Sequence, residues 1–354
     1  MREDQTIAPV SATAGTPLRV ACLGAGYFSR FHYDSWARMP AAAVVAACDT
    51  DIDRARATGH RAYDDLATML RAERPDLLDI IVPPAAHATA LRTAIAHGVS
   101  WIICQKPFCR DLPEARAIMA EARGTVIVVH ENFRFQPWYR RVKSALDDGL
   151  IGDVQQLTFR LRPGDGQGPA AYLDRQPYFQ QMERFLIHET AVHWIDTFRY
   201  LLGEPTHVYA DLRRLNPAIR GEDAGYVLFD HPQGVRALFD GNRHLDHAAD
   251  NLRRTMGEAL IEGTRGNLSI LGDGSVWLRL KGKVDPEQLL APDRWDGFGG
   301  DCVHALQSHV VAGILEGAPL ENLAPDYISV MEIERAIYAS AERGQKMVLD
   351  GRAR

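Results

Sequence analysis

No stretch of this sequence is apolar for long enough to span a bilayer, which argues against a membrane-crossing helix. Cysteines are few and odd in number, five, so they cannot all pair with one another within the chain. No CxxC pair or Cys/His cluster has zinc spacing, and no metal is assigned. Cys22, Cys48 and Cys104 lie in or beside apolar runs and read as small buried hydrophobes. Basic charge is not in excess. A formal net charge of -6 gives no electrostatic reason to expect nucleic acid or an acidic membrane as partner. The opening residues, "MREDQTIAPVSATAGTP", lack the apolar core of a signal peptide. They read as a leader, residues 1–16, disordered at least to Thr13, and the cytoplasm is the expected compartment. There is no internal repeat.

What is present is an ordinary soluble-globular composition, 46% hydrophobic and 24% charged, in 354 residues, enough for two domains. The first third alternates short apolar runs with helical segments. The runs are "LRVACLGAG", "AAVVAACD", "LLDIIVPP", "VSWIICQKP" and "TVIVVHEN". Helices are expected over Phe31–Arg38, Ile52–Thr58, Leu66–Arg74, His87–His97 and Leu112–Arg123. Strands separated by helices imply parallel pairing with right-handed crossovers, a doubly wound α/β sheet.

After about Phe133 the pattern changes. A helix over Trp138–Asp148 is followed by strands over Val154–Arg162, Thr206–Arg214, Ala224–Asp230, Val235–Asn242, Glu258–Glu262, Leu268–Leu271 and Ser275–Leu280. Turns such as "HPQG" and "LGDGS" join neighbours, so the second domain is α+β on a large, mainly antiparallel sheet. A helix over Glu189–Leu202 interrupts it, and helices near Gly300–Glu316 and Pro325–Arg343 close the chain. The expected division is 17–132 and 133–354. One face of this sheet carries Gln156, Thr158, Arg160 and Arg162, a mix suited to a partly polar subunit interface, so a homodimer or homotetramer through the sheet is expected.

Gly24-Ala25-Gly26 follow the first strand and precede a helix. In a dinucleotide fold the first glycine makes a tight turn and the second admits the pyrophosphate. The third glycine is replaced by Ser29, whose hydroxyl can donate to a phosphate at the helix start. A plain strand–helix turn reads the same way. Asp49 ends the second strand, where a carboxylate accepts the ribose hydroxyls and repels a 2′-phosphate, favouring NAD. It also fits a helix N-cap. Arg54 and Arg56 leave NADP open. Lys106, in "CQKPF", stands at the carboxyl edge of a parallel strand, where ligands bind in such sheets, although a lone lysine is usually solvated surface. Two histidines three apart, His244 and His247, would need a third ligand to hold a metal. A solvated loop or a pocket role is the reading taken.

The segments "GAGYFSRFH", "VPPAAHATALRTAIAHG", "CQKPF", "NFRFQPWYRRVKSALDDGLIGDV", "HETAVHWIDTFRYLLGEP", "EALIEGTRGNLSI" and "ERAIYASAERGQ" follow one another along the chain. In that order they resemble the glucose–fructose oxidoreductase and inositol dehydrogenase family (Gfo/Idh/MocA). The resemblance covers nearly the whole chain after the leader and implies an NAD-binding Rossmann domain ahead of a substrate domain. It implies cofactor contacts at Gly24, Gly26, Tyr27, Phe28, Ser29, Asp49, Pro83, Pro84, His87, Gln105, Lys106 and Asn132. It implies substrate contacts at Lys106, Arg134, Tyr139, His193 and Asp196, with Asn242 and Arg243 as weaker candidates. Two positions depart from the family pattern. Gln105 replaces the glutamate of Glu-Lys-Pro, and Glu189 replaces the aspartate of Asp-x-x-x-His.

The resemblance implies hydride transfer between nicotinamide and a carbinol carbon of a sugar, polyol, cyclitol or sugar acid. Lys106 is expected to accept the hydroxyl proton. His193 would bond the same hydroxyl, and Glu189, four residues earlier on a shared helix face, would fix its tautomer. His193 as an ordinary core histidine is the other reading. Arg134, Arg160, Arg162, Arg184 and Arg243 could line the mouth and select a carboxylate, or face solvent or a subunit interface. The glycine-rich segment Pro163–Gln181 is expected to cover the pocket. Three alternatives stay open. Bound NAD could serve internal redox, in an isomerase or glycosidase. The chain could be a nucleotide-sensing regulator without turnover, or a plain two-domain binding protein.

Overall fold

The computed structural model describes residues 16–349. The expected leader lies almost wholly outside them. Among the described residues the chain forms two compact units, one reaching to Glu131 and including Val303–Ser329, the other comprising Asn132–Cys302 and the chain from Val330. Residues 303–329, grouped by sequence with the second domain, cluster with the first unit.

The first unit runs β1 (Leu18–Leu23), α1 (Ser29–Ala37), β2 (Ala42–Cys48), α2 (Ile52–Ala57), β3 (Arg61–Tyr63), α3 (Leu66–Glu73), β4 (Leu77–Ile80), α4 (Pro84–Ala96), β5 (Trp101–Gln105), α5 (Leu112–Glu121) and β6 (Val126–His130). All pairs are parallel, in the order β3-β2-β1-β4-β5-β6. Every residue of β4 and β5 is buried, which is why these strands read as mainly apolar runs. Local chemistry starts the helices. Asp51, Asp65 and Asp111 each accept a backbone N–H in the first turn, worth about 1 kcal/mol apiece. Pro84 opens α4, where its missing N–H costs nothing. The chain order reverses between β1 and β4, the switch point at which such sheets bind ligands.

The second unit contains α6 (Pro137–Asp147), β7 (Val154–Leu161), a π-helix (Leu186–Ala191), α7 (Val192–Leu202), β8 (His207–Arg213), β9 (Ala224–Asp230), β10 (Arg236–Asn242), β11 (Gly257–Gly263), β12 (Gly266–Ile270), β13 (Val276–Leu280) and β14 (Glu287–Leu290). The helices α8 (Cys302–Glu316) and α9 (Ala324–Arg343) and the short β15 (Met347–Val348) complete the chain. The nine-stranded sheet has the order β14-β13-β12-β11-β7-β10-β9-β8-β15 and is antiparallel except between β7 and β10. One face is core. Leu157, Phe159, Val227, Phe229, Ala237, Phe239 and Ile261 are all buried. Trp194 of α7 stacks on Phe159, ring centroids 4.3 Å apart, and seals this face. Truncating Trp194 to alanine would cost about 3–5 kcal/mol.

Arg162 does not join the exposed row expected of it. It is 6% exposed, and its guanidinium binds Asp240 Oδ2 at 2.5 Å and the carbonyls of Leu161 and Asp240 at 2.8 Å.

Candidate functional site

In the first unit, the carboxyl ends of β1, β2 and β4 meet at the glycine turn. Gly24 has φ +110°, and a Cβ there would stand 2.3 Å from the Ile81 carbonyl oxygen just beyond β4. Only glycine fits. Gly26 differs, because a Cβ there would meet nothing within 4 Å. Protein packing does not demand a glycine at 26, and the open space is what an approaching pyrophosphate needs. Asp49 joins the two features. Its Oδ2 accepts from Ala25 N at 2.8 Å and its Oδ1 from Asp51 N at 3.0 Å. The helix N-cap itself is Asp51. A carboxylate has about four acceptor sites, so Asp49 retains capacity for ribose hydroxyls. These residues fit a dinucleotide.

Other expected cofactor residues are placed differently. Ser29 is buried, and its hydroxyl donates to the Gly26 carbonyl at 2.7 Å, which fastens the turn. Tyr27 is exposed, with the Arg30 guanidinium 4.2 Å from its ring centroid. Phe28 precedes α1 and packs against Phe31 and His32. Pro83 caps α4 and Pro84 is its first residue. His87 is fully buried and braces two loops, Nε2 at 2.8 Å from the Val82 carbonyl and Nδ1 at 3.0 Å from that of Pro107. Burial pushes its imidazole below the usual histidine range, against the pull of those carbonyls. It supports the segment after Lys106. Arg54 and Arg56, which left NADP open, are exposed and pair with Asp51 and Asp53.

Lys106 follows β5 and is half-buried. Its neighbour Gln105 points inward. The Gln105 amide nitrogen lies 2.8 Å from His32 Nε2 and 3.2 Å from His130 Nδ1. His32 Nδ1 in turn bonds Asp79 Oδ2 at 2.8 Å, which also accepts from Trp36 at 2.8 Å and Gln307 at 3.0 Å. Sequence reasoning missed this buried network. Its signal was Asp79, an acid inside the apolar run "LLDIIV".

In the second unit, His193 is 8% exposed and stacks on Phe133, centroids 3.8 Å apart and planes 4° from parallel. Glu189 lies in the π-helix, not on α7. The i, i+4 argument for a shared α-helical face therefore fails, because π geometry hydrogen-bonds i to i+5. Asn132 is buried, and its Nδ2 has no hydrogen-bond partner among the described residues. Asn242 Oδ1 accepts from His244 N at 2.9 Å.

Four further expected substrate residues, Arg134, Asp196, Tyr139 and Arg243, are engaged with protein. Arg134 grips Asp196 through Nε at 2.8 Å and Nη2 at 2.6 Å, and Asp196 is wholly buried. Tyr139 is 3% exposed, accepts from Trp194 Nε1 at 2.9 Å, and its phenol is pushed up by burial. Arg243 is 2% exposed and bound to Asp165, Tyr172 and Thr190. Three of the five arginines expected to select a carboxylate, Arg134, Arg162 and Arg243, are thus paired with acids. Arg160 lies 4.0 Å from Glu258, and Arg184 stacks over Tyr338. The segment Pro163–Gln181 is fixed in place. Its Tyr172 and Phe179 form a buried cluster with Phe185 and Ile219. His244 bonds Asp223 at 3.0 Å and His247 the Arg162 carbonyl at 2.8 Å. No group of three His, Cys, Asp or Glu suited to a metal occurs among the described residues.

Comparison with known proteins gives matches across the chain. A family model described as an oxidoreductase family with an NAD-binding Rossmann fold matches residues 18–133, and one described as a GFO/IDH/MocA C-terminal domain matches residues 139–269. A D-apiose dehydrogenase from Paraburkholderia graminis is 33% identical over 357 aligned positions, covering 96% of this chain and 92% of the relative. An inositol 2-dehydrogenase from Rhizobium meliloti is 26% identical, covering 93% and 98%. Among solved structures, an oxidoreductase from Agrobacterium radiobacter in complex with NAD+, L-tartaric acid and magnesium is 27% identical, covering 94% of this chain and 98% of that one, with a TM-score of 0.85.

Proposed function

The chain belongs to the Gfo/Idh/MocA family of NAD-binding oxidoreductases, and from that premise we propose which of its residues carry the reaction and on what substrate. It is an NAD-dependent dehydrogenase acting on CH–OH groups of sugars or polyols. The carrying observation is the glycine turn. Gly24 is dictated by the Ile81 carbonyl, while Gly26 opens onto space beside a carboxylate that already holds the turn.

Gly24, Gly26 and Asp49 hold the dinucleotide, whose nicotinamide ring supplies the hydride acceptor when bound. Lys106 accepts the proton of the carbinol hydroxyl as the C–H bond breaks. His193, oriented by its stack on Phe133, and Glu189 hold substrate hydroxyls. Asn132 Nδ2, a buried donor unmatched by protein, bonds the ligand. A neutral sugar fits better than a sugar acid, because three of the five candidate arginines, Arg134, Arg162 and Arg243, are already paired with Asp196, Asp240 and Asp165. D-Apiose and related pentoses are the first substrates to try, since a D-apiose dehydrogenase is 33% identical over almost the whole chain.

The test is a screen of purified protein with pentoses, polyols, inositols and aldonates, read by NADH absorbance. Turnover of a neutral sugar, lost in Lys106→Met with NAD binding retained, is expected. Wild-type turnover in Lys106→Met, or aldonates as the preferred class, would overturn the assignment.

A second copy of the chain covers the open face of the nine-stranded sheet. One cross-strand row on that face runs Tyr209, Leu228, Leu238, Thr158, Leu260, Ser269 and Trp277. Tyr209, Leu228 and Leu260 are 37–40% exposed, and Tyr226 46%. A light-scattering mass of two or more chains is expected, and a single-chain mass would remove this reading. The five cysteines are all free and buried, which suits a reducing compartment such as the cytoplasm. Among the described residues no helix is long and apolar enough to cross a membrane.

A further inference from the structure

The π-helix Leu186–Ala191 is gripped at both ends by groups that the reaction does not use. At its start, Glu222 Oε1 accepts from the backbone N–H of Phe185 at 3.2 Å and of Ile187 at 3.1 Å. Tyr338 donates its hydroxyl to the same oxygen at 2.7 Å, and the Glu222 carbonyl accepts from Leu186 N at 2.9 Å. At its end, Arg243 Nη1 donates to the Thr190 hydroxyl at 2.6 Å. That guanidinium has no freedom to follow the helix. Its Nε and Nη2 bind the two oxygens of Asp165 at 3.1 and 2.8 Å, and Nε also bonds the Tyr172 hydroxyl at 2.7 Å. Arg175 binds Asp165 from another side at 2.5 Å.

The Asp165 carboxyl is buried, which by itself raises its pKa, yet the guanidiniums of Arg243 and Arg175 outweigh burial and leave it below its ordinary value. The clamp is therefore a charged anchor built into the 163–181 segment. That segment is itself pinned. Asn216 Nδ2 donates to the carbonyls of Gly166 and Gly168 at 2.7 and 2.8 Å, and Gly166 N to the Arg243 carbonyl at 2.9 Å.

A threonine hydroxyl inside a helix ordinarily returns to a carbonyl of the preceding turn. Here Thr190 accepts from a fixed side chain of another element, one residue after Glu189 and three before His193. The geometry assigns Thr190 as a positioning residue: held by Arg243, it keeps the 186–191 turn in π register and so sets where Glu189 stands relative to His193. This rests on the reading that Glu189 and His193 meet the substrate. π-Turns within helices recur at functional sites because they re-aim side chains that an α-helix would align.

Direct truncation of Asp165 or Arg243 would strand a buried charge and unfold the region, so the test uses Thr190. Thr190→Val keeps the shape and removes the acceptor, and Thr190→Ser restores it. The expected result for Thr190→Val is an α-helical turn in its crystal structure, with kcat/KM for the sugar about tenfold lower and the dissociation constant for NAD within about twofold of native. Thr190→Ser regains most of the lost rate. A Thr190→Val structure that keeps the π-turn, a native kcat/KM in that variant, or a Thr190→Ser variant equally impaired would overturn the assignment. The register is read from coordinates, so the two readings fail separately. Normal turnover by Glu189→Gln and His193→Asn would remove the substrate roles, while the structural comparison would still decide what Thr190 holds.

Discussion

Phe133 and His193 stack nearly face to face, with centroids 3.8 Å apart and planes 4° from parallel. Phe133 is buried and meets the edge of Trp194 as well, so the ring that supports His193 is itself fixed by the core.

Replacing Phe133 with leucine keeps most of the volume and removes the stack. The stability cost is under about 1.5 kcal/mol. Losing a ring stack worth about 0.5–1.5 kcal/mol frees the imidazole, and kcat should fall about three- to tenfold with NAD affinity unchanged. Steady-state kinetics beside a fluorescence titration of NAD checks this. Equal losses in both would mean that the residue serves folding alone.

The two turn glycines should separate folding from binding. Gly24→Ala puts a methyl 2.3 Å from the Ile81 carbonyl at φ +110°, and should cost about 2 kcal/mol or more in denaturant unfolding. Gly26→Ala meets no atom within 4 Å and should leave stability within about 0.5 kcal/mol of native. Its methyl occupies the phosphate approach, so NAD affinity should drop about tenfold or more by calorimetry. Native affinity in Gly26→Ala would contradict the placement of the cofactor.

Gln105→Glu converts a donor shared by two imidazoles into an acceptor. His32 would then lie between two carboxylates, Asp79 and the new one, and the network should bind one more proton. The pH–rate profile should move by about one unit relative to native. Superimposable profiles would show that the neutral amide has no part in the chemistry.

His231 supplies a pH dependence of stability. It is 3% exposed, and burial lowers its pKa from 6.5 to about 4. Between those two values the unfolded chain binds a proton that the folded chain refuses. Unfolding free energy therefore rises with pH across that window and is lost as pH falls through it. The loss is on the order of 3 kcal/mol when complete. Denaturant melts at pH 7 and pH 4.5 should show it, and a His231→Phe variant should show a shallower slope. An identical slope would place the acid sensitivity elsewhere.

How much of this was legible in the sequence varied with the range of the interaction. The parallel sheet was readable because β4 and β5 are buried on both faces and therefore mostly apolar, with Asp79 and Gln105 the polar exceptions. Strand β3 was not, since its three residues are exposed or half-buried and carry no hydrophobic signature. Gly24 could be read from its place after a strand, but the bond that ties the Ser29 hydroxyl to the Gly26 carbonyl could not. Arg134 and Asp196 each looked like pocket residues. They lie 62 positions apart, and nothing local announces that they pair with each other. The π-turn was invisible for the same reason. Its register is imposed by Arg243 and Glu222, both far along the chain.

The grouping of residues 303–329 with the first unit has a consequence for biosynthesis. Asp79 takes a hydrogen bond from Gln307, and the Glu131 carbonyl one from Asn322 Nδ2 at 2.5 Å. A ribosome delivers those two amides only after strands β7 to β14 have been made. At ordinary elongation speeds the wait is on the order of ten seconds or more. Throughout that interval the nascent nucleotide fold holds an acid in its interior with one of its donors still untranslated. A fragment cut after residue 133 would keep that deficit permanently.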